Sequence, residues 1–238
     1  MFGSCGVVWY LPGMRDADVR RVLRRQLDAC YAADPNTLIV EELGLCRGSV
    51  RADLAVINGV LKGYEIKSDR DRLIRLGAQA ETYNKVFDTV TIVVADRHLN
   101  SVERMVPDWW GIDTVTPSAD SSLLMLRVRE EGHNHRVEPA ALVQLLWRGE
   151  VLLLLRRSSS STNFEHKPRE FLWRTLVESV PLLELKAQVR ECLRNRKLWR
   201  VPGEHRTDDV RFPPFATWSG SLYRLGGSRS RRYIHRPS

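Results

Sequence analysis

Three side chains in the stretch from Arg51 to Lys67 have the types and spacing of a metal-dependent hydrolytic site. Asp53 lies twelve positions before Glu65, and Lys67 follows Glu65 by two. Two carboxylates that converge can bind a hard divalent cation such as Mg²⁺ through oxygen. The cation can polarise a phosphoryl oxygen and lower the pKa of a bound water, while a lysine orients that water or stabilises developing charge. The chemistry therefore depends on whether Asp53, Glu65 and Lys67 meet.

The elements that must position these groups are two short β-strands joined by a turn. In a strand, residues two apart face the same side. Glu65 and Lys67 therefore share one face, and Tyr64 and Ile66 share the other. The main-chain carbonyl of Ile66 offers a further oxygen ligand for a cation.

The orientation of Asp53 depends on the turn at Asn58-Gly59. A two-residue loop would pair Asp53 with Tyr64 and turn its carboxylate away from Glu65. A three-residue loop that also includes Ile57 would place Asp53 diagonal to Glu65 on the same face, with the glycine left-handed in a G1 bulge. We predict the bulged turn, because only this turn brings the two carboxylates together without a further kink.

The pattern D-x11-E-x-K, placed after a helix and a strand, resembles the PD-(D/E)XK nuclease superfamily. The helix that follows carries Gln79 and Tyr83 at i, i+4, where several branches of the superfamily have Gln-x3-Tyr. The run EELGL, GSVRADLAV, GYEIKSDRD resembles a largely uncharacterised bacterial branch and a related group linked to DNA repair. The resemblance covers residues 14–115, and it departs from the superfamily pattern at Ala52, where proline is usual before the first acid.

This resemblance implies a Mg²⁺-dependent endonuclease that hydrolyses phosphodiester bonds, with DNA favoured over RNA and Mn²⁺ as a substitute metal. A non-catalytic nucleic-acid-binding module, or a subunit of a repair or defence complex, is the alternative. The metal ligands would be Asp53, Glu65, Ile66 and an upstream acid, Glu42 or else Glu41; the catalytic set would also include Lys67, Gln79 and Tyr83. Arg51, Arg72 and Arg75 are either phosphate-contacting residues or ordinary surface arginines.

The charge of the chain does not by itself indicate a nucleic-acid partner. The formal net charge is +8, but residues 211–238 contain six Arg and no acid, so the other residues carry only +2 (31 basic minus 29 acidic). No apolar run approaches the ~20 residues needed to span a bilayer. Four cysteines without metal-binding spacing indicate buried free thiols in a reducing compartment, and we expect a cytoplasmic protein.

The pattern of helices and strands predicts the α/β class, with a restriction-endonuclease-like mixed central sheet flanked by helices, a helical C-terminal region and a basic, disordered tail. The predicted divisions are an extension at 1–13, which a misassigned start codon would explain, a nuclease-like domain at 14–130, helices at 131–201 and a tail at 202–238. The helices could mediate a homodimer or bind a partner protein. Helices are predicted at 16–33, 68–87, 100–105, 139–156, 168–178 and 181–196, and the arginines of the first one, Arg20, Arg21, Arg24 and Arg25, are expected to be solvated.

Overall fold

The structure is a computed structural model that describes residues 14–118, 122–158 and 163–196. Its strands are β1 Leu38–Leu45, β2 Val50–Ile57, β3 Leu61–Lys67, β4 Thr89–Ala95, β5 Gly111–Pro117 and β6 Leu123–Arg129. Its helices are α1 Asp16–Cys30, α2 Leu76–Val86, α3 Leu99–Met105, α4 Pro139–Leu142, α5 Arg148–Ser158, α6 Arg169–Ser179 and α7 Leu182–Asn195. The N-terminal extension and the basic tail lie outside the described residues.

The six strands form one mixed sheet in chain order, β1-β2-β3-β4-β5-β6. The neighbours β1–β2, β2–β3 and β5–β6 are antiparallel, whereas β3–β4 and β4–β5 are parallel. Strand β4, with the sequence TVTIVVA, is buried along almost its whole length, as expected of a parallel strand covered on both faces. The predicted mixed α/β fold with a helical C-terminal region is confirmed.

Helix α1 covers one face of the sheet. Its apolar stripe, Val19, Leu23 and Leu27, packs in one cluster with β2 and β3 residues such as Leu54 and Tyr64. This stripe is the i, i+4, i+8 pattern of an amphipathic helix, and the helix predicted at 16–33 is present as Asp16–Cys30.

The opposite face of the sheet is covered by α2 and by the C-terminal helices together. A single apolar cluster contains Tyr83 of α2, Ile92 of β4, Leu155 of α5, Leu176 of α6 and Leu193 of α7. The predicted boundary between residues 130 and 131 falls within this continuous core. The C-terminal helices therefore help to hold the face of the sheet on which Glu65 and Lys67 lie.

A buried carboxylate fastens α7 to the sheet. Asp88 is 3% exposed and accepts a hydrogen bond of 2.8 Å from the main-chain N–H of Leu61. Its two oxygens also pair with Lys186 at 2.8 Å and with Arg190 at 3.3 Å. Because a buried carboxylate is stable only when its charge is paired, these contacts fix the register of α7 on the core.

The prediction of one continuous helix over 139–156 is wrong. Helix α4 passes into a short 3-10 turn, Val143–Leu145, and then Leu146 adopts an extended conformation (φ −82°, ψ 139°). A new helix starts where the main-chain N–H of Trp147 donates to Glu150 Oε2 at 2.7 Å. Leu145 and Leu146, on the two sides of the break, are both buried.

The predicted helix start at Ser68 is also wrong. Asp71 accepts hydrogen bonds from both the main-chain N–H and the hydroxyl of Ser68, at 2.7 and 2.6 Å. These bonds close a separate turn, and the helix begins later, through the 3-10 turn Leu73–Arg75 into α2 at Leu76. Ser68 and Asp71 are therefore hydrogen-bonded as in a helix capping box, but a turn follows them instead of a helix.

Within 14–118, 122–158 and 163–196, no helix combines the length and the apolar character that crossing a membrane requires. Cys30, Cys46 and Cys192 are free thiols. The expectation that the thiols are buried is wrong for Cys30, which is exposed on α1, and Cys46 and Cys192 are only partly buried.

Candidate active site

The hairpin between β2 and β3 has neither of the two loops considered from the sequence. Ile57 pairs with Leu61, which leaves a three-residue loop, Asn58–Val60. The predicted G1 bulge is wrong, since Gly48 is the one glycine with positive φ among the described residues. Instead, Asn58 Oδ1 accepts the N–H of Val60 at 3.1 Å, and the Asn58 amide donates to Thr37 at 3.2 Å. An Asn side chain thus closes the turn without a left-handed glycine.

This register nevertheless places Asp53 across from Glu65. The last pair of the β2–β3 ladder is Leu54 with Tyr64, and its continuation sets Asp53 opposite Glu65. Past that pair the strands separate, and Asp53 Oδ2 accepts the main-chain N–H of Ile66 at 2.7 Å. The Asp53 carboxylate thus accepts the hydrogen bond that a main-chain carbonyl of β2 would accept if the β2–β3 ladder continued. Asp53 is therefore fixed at the point where the two strands part.

A local distortion of β1 lies directly beside Asp53. Glu42 has a left-handed conformation (φ 56°), and the β1–β2 pairing passes from Glu41–Leu54 to Leu43–Ala52 without a pair between them. A left-handed conformation is uncommon for a residue with a side chain and is often found near functional sites. The distortion interrupts the alternation of side chains along β1 at the position opposite Asp53, so that Val40 and Leu43 belong to the same apolar cluster.

Glu65 lies at the centre of a hydrogen-bonded cluster formed by β3 and α2. Its Oε1 accepts from Lys67 Nζ at 2.5 Å and from Gln79 Nε2 at 2.7 Å, and its Oε2 accepts from the Tyr83 hydroxyl at 2.5 Å. Lys67 Nζ also donates to Gln79 Oε1 at 3.1 Å. Glu65 is 1% exposed. The structure therefore brings the two predicted strand residues and the two predicted helix residues together.

The two carboxylates of the site affect each other electrostatically. Burial, followed by the negative charge of Glu65, raises the pKa of Asp53 to about 7, although the N–H of Ile66 and the charge of Arg20 oppose this rise. Burial and the charge of Glu65 also raise the pKa of Tyr83, which keeps its hydroxyl protonated as a donor. Close carboxylates that repel each other are stabilised by a shared cation or a shared proton.

Arg20 of α1 belongs to the site and was not predicted to do so. Its guanidinium donates to Asp53 Oδ1 and to the Asp53 main-chain carbonyl, both at 2.8 Å, and it pairs with Asp16 at 3.2 Å and with Glu42 at 3.1 Å. The expectation that Arg20 is solvated is wrong, because its side chain is only 19% exposed. The sequence did contain a signal, since Arg20 directly follows the core residue Val19 and therefore borders the apolar stripe of α1.

The remaining predicted residues lie around this cluster. Glu42 is linked to Asp53 through Arg20, and Glu41 pairs with Arg24 at 3.2 Å. The Arg24 side chain is 37% exposed, so this pair lies at the surface. Arg51, Arg72 and Arg75 are exposed, and no ion pair engages them within the part of the chain that the structure describes.

The residues present are compatible with a Mg²⁺ ion held by few protein ligands. No group of three or more His, Cys, Asp or Glu side chains suited to a metal occurs in the described ranges. Mg²⁺ commonly uses only one or two carboxylates and completes its coordination with water and substrate phosphate. Asp53 and Glu65 supply two carboxylates. The raised pKa of Asp53 reflects burial first and then repulsion by Glu65, and a bound cation would relieve that repulsion.

The fold and this cluster define a mixed α/β protein with an acid–acid–lysine site where two antiparallel strands separate. Residues 18–208 match the model of the family described as bacteriophage P4 protein cII. Since this match covers most of the chain, the protein belongs to that family.

One relative is protein cII of Enterobacteria phage P4, which is 28% identical over 159 residues. The aligned part is 66% of this chain and 59% of the relative, so the chain spans about three fifths of that protein. A solved structure of a protein of unknown function from Silicibacter pomeroyi is similar at 20% identity and a TM-score of 0.35, over 66% of this chain and 98% of that chain. None of these names states a reaction or a ligand.

Proposed function

We propose that this protein is a metal-dependent nuclease that hydrolyses phosphodiester bonds, with DNA as the favoured substrate over RNA. The observation that carries the proposal is the position of Asp53 opposite Glu65, at the parting of β2 and β3, with Lys67 hydrogen-bonded to Glu65. This arrangement agrees with the resemblance of the sequence to the PD-(D/E)XK superfamily. Two carboxylates can hold a divalent cation and a lysine can assist the attacking water, which such hydrolysis requires.

Asp53 and Glu65, with the carbonyl of Ile66, would hold Mg²⁺ or Mn²⁺. The bound metal would supply Lewis-acid assistance to the scissile phosphate and would make water a better nucleophile. Arg20 fixes Asp53 from the side of α1. Glu42, which reaches the site through Arg20, is a further candidate ligand.

Lys67 is the residue that would act on the phosphate or the attacking water. Its ammonium group donates to Glu65 Oε1, and the residue is only 8% exposed, so water screens its charge little. Gln79 and Tyr83 hold Glu65 from α2, which fixes the orientation of the carboxylate before substrate binds. Preorganised groups of this kind lower a barrier because they need no rearrangement during the reaction.

The exposed arginines around the cluster are suited to the substrate backbone. Arg72 and Arg75 belong to the segment that leads into α2, and Arg51 directly precedes the Ala52–Asp53 end of β2. Guanidinium groups bind phosphate by paired hydrogen bonds, so these three residues would position the strand and not select its sequence.

A cleavage assay with matched lysine variants tests the proposal. Lys67→Met should reduce Mg²⁺-dependent cleavage by roughly 10²–10³-fold, because it removes a preorganised positive charge. Lys62→Met is the control, since Lys62 lies on the same strand, is equally exposed at 8% and also pairs with a glutamate, Glu131, but faces the other side of the sheet. This control should retain activity, and EDTA should abolish cleavage by all variants.

The second candidate function is a nucleic-acid-binding module without turnover. It is favoured by the burial of Glu65, whose two oxygens already accept three hydrogen bonds. If the wild type cleaves no single- or double-stranded DNA or RNA with Mg²⁺ or Mn²⁺, yet still binds one of them, the nuclease proposal is wrong and this alternative replaces it.

A further inference from the structure

The segment Arg70–Arg75 follows β3 and leads into α2, beside the candidate active site. Strands β3 and β4 are parallel neighbours, so α2, which connects them, runs antiparallel to both. Gln79 of α2 contacts both Lys67 and Glu65. The residues that precede Gln79 therefore lie past Lys67, at the end of the site where β2 and β3 part.

Three arginines of this segment carry free positive charge. Arg70, Arg72 and Arg75 are exposed, and none of them forms an ion pair or a side-chain hydrogen bond with the described part of the chain. Arg75 precedes Gln79 by four positions, so the two side chains share one face of the helical segment. Unpaired guanidinium groups at this end of the site are suited to the phosphates of a nucleic-acid backbone.

Ile74 lies between these arginines and is 83% exposed. The residues on its two sides hold the chain in place, since Leu73 packs against the larger apolar cluster and Leu76 is fully buried. The 3-10 turn Leu73–Arg75 is therefore anchored to the core while the Ile74 side chain stays in solvent. Burial of this apolar side chain by a ligand would be favourable.

A second side chain of equal exposure shows that exposure alone is not the signal. Leu183 is 81% exposed in the first turn of α7, but its neighbour is the acidic Glu184, and the nearby Lys186 is paired with Asp88 at 2.8 Å. Proteins that wedge open DNA place an apolar side chain such as isoleucine among arginines or lysines, and the apolar group enters between two base pairs. Ile74 has these surroundings and Leu183 does not.

We infer that Ile74 inserts between two base pairs of a DNA duplex, while Arg70, Arg72 and Arg75 contact the flanking phosphates. The inference rests on the proposed function and narrows its substrate to double-stranded DNA, because a single strand has no paired base step to wedge. Ile74 precedes Gln79 by five positions, about 8 Å along a helix, which corresponds to roughly two or three nucleotides of a strand. A duplex wedged at Ile74 thus brings a nearby phosphate to the candidate active site.

Fluorescence anisotropy of the full chain tests the inference without requiring cleavage. The probes are a short DNA duplex, one of its single strands and an RNA duplex of the same sequence, each in EDTA and in Ca²⁺. The DNA duplex should bind most tightly. Ile74→Ser should weaken duplex binding about tenfold and leave single-strand binding unchanged, because the contribution of a buried isoleucine is lost. Leu183→Ser is the matched control and should bind like the wild type.

Base unstacking separates a wedge from a surface contact. The base analogue 2-aminopurine, whose fluorescence rises when it is unstacked, is placed in turn at each position of the duplex. The wild type should raise the fluorescence at one step, and Ile74→Ser should not. Ile74→Leu keeps an apolar wedge and should retain the signal. All variants should melt at the wild-type temperature, since the Ile74 side chain is 83% exposed.

The salt dependence of duplex binding tests the arginines. Arg70→Gln, Arg72→Gln and Arg75→Gln should each weaken binding and reduce the slope of log K against log salt by about 0.9, as expected for the loss of one phosphate contact. Arg174→Gln is the control, because Arg174 is an exposed arginine of α6, and its slope should equal that of the wild type.

The inference is overturned if the DNA duplex does not bind in either condition, if Ile74→Ser binds it as tightly as Leu183→Ser, or if no position becomes unstacked. Failure of the nuclease proposal gives a different result. Duplex binding with unstacking but without Mg²⁺-dependent cleavage would keep the wedge and remove the nuclease. Cleavage by the wild type with no effect of Ile74→Ser on duplex binding would do the reverse.

Discussion

The buried pair of carboxylates predicts an unusual pH dependence of stability. Asp53 has its pKa raised from 3.8 to about 7 by burial and by the charge of Glu65. Because the pKa is higher in the folded state, folding favours the protonated carboxyl. The stabilisation is complete below about pH 4 and is lost as the pH rises through about 7. The perturbation we propose is Asp53→Asn, which removes the ionisation and keeps the shape.

The size of the effect follows from the two pKa values. A rise from 3.8 to about 7 corresponds to about 4 kcal/mol, at about 1.4 kcal/mol for each pH unit. Between about pH 5.5 and 8 the loss should be about 2 kcal/mol, since most other carboxylates are already ionised there. For a chain of this length, that loss lowers the melting temperature by roughly 4–8 °C. The side chain of Asp53 is only 19% exposed, so solvent screening reduces this value little.

The assay is thermal unfolding at several pH values, with EDTA and with excess Mg²⁺. In EDTA the wild-type melting temperature should fall from about pH 5.5 to 8, and Asp53→Asn should not show this fall. Mg²⁺ should restore the wild type mainly at the higher pH, where Asp53 is ionised and can bind it. Asp113→Asn is the control, because Asp113 is a buried carboxylate on the same sheet, and it should retain the response to Mg²⁺.

Three results would refute this reasoning. A wild-type melting temperature in EDTA that does not fall over this pH range would mean that folding does not raise the pKa of Asp53. An equal fall in Asp53→Asn would assign the titration to another group. A Mg²⁺ response that persists in Asp53→Asn would place the metal at a different site.

Two further changes test the packing that supports the site. Gly63→Ala should destabilise the fold by about 1–3 kcal/mol in a thermal melt, because a Cβ at this position would lie 2.6 Å from the buried ring of Phe87. Gly59→Ala is the control: its added Cβ would meet nothing within 4 Å, so this change should be nearly neutral. Asp88→Asn should lower the free energy of unfolding by about 3 kcal/mol or more, because it leaves the charge of Lys186 unpaired. Amide hydrogen exchange should then show faster opening of α7. Unchanged exchange in α7 would contradict the role of this carboxylate.

Much of the candidate site was predictable because its signals are local. The alternation of side chains along a strand places Glu65 and Lys67 on the same face of β3. The i, i+4 spacing places Gln79 and Tyr83 on the same face of helix α2. These relations hold in any fold that contains the strand and the helix. The structure adds that the two faces meet, with all three partners hydrogen-bonded to Glu65.

The turn between β2 and β3 could not be predicted in the same way. The loop sequence permits several registers that differ little in local energy, and the side-chain bond from Asn58 to Thr37 of a distant segment favours one of them. The predicted register was wrong, yet Asp53 still faces Glu65. The observed pairing of Val56 with Lys62 is shifted by two residues from the predicted one, and a shift of two keeps each side chain on the same face.

What the sequence by itself determined is the identity of the elements and the chemistry they can carry: the apolar stripe of α1, the buried strand β4 and the acid–x–lysine face of β3. These follow from periodicity, which is a property of short segments. Only the tertiary structure decided that Arg20 joins the site, that Glu42 is distorted beside Asp53, and that the C-terminal helices share one core with the sheet. Those outcomes depend on contacts between residues far apart in the chain, whose energies no local pattern contains.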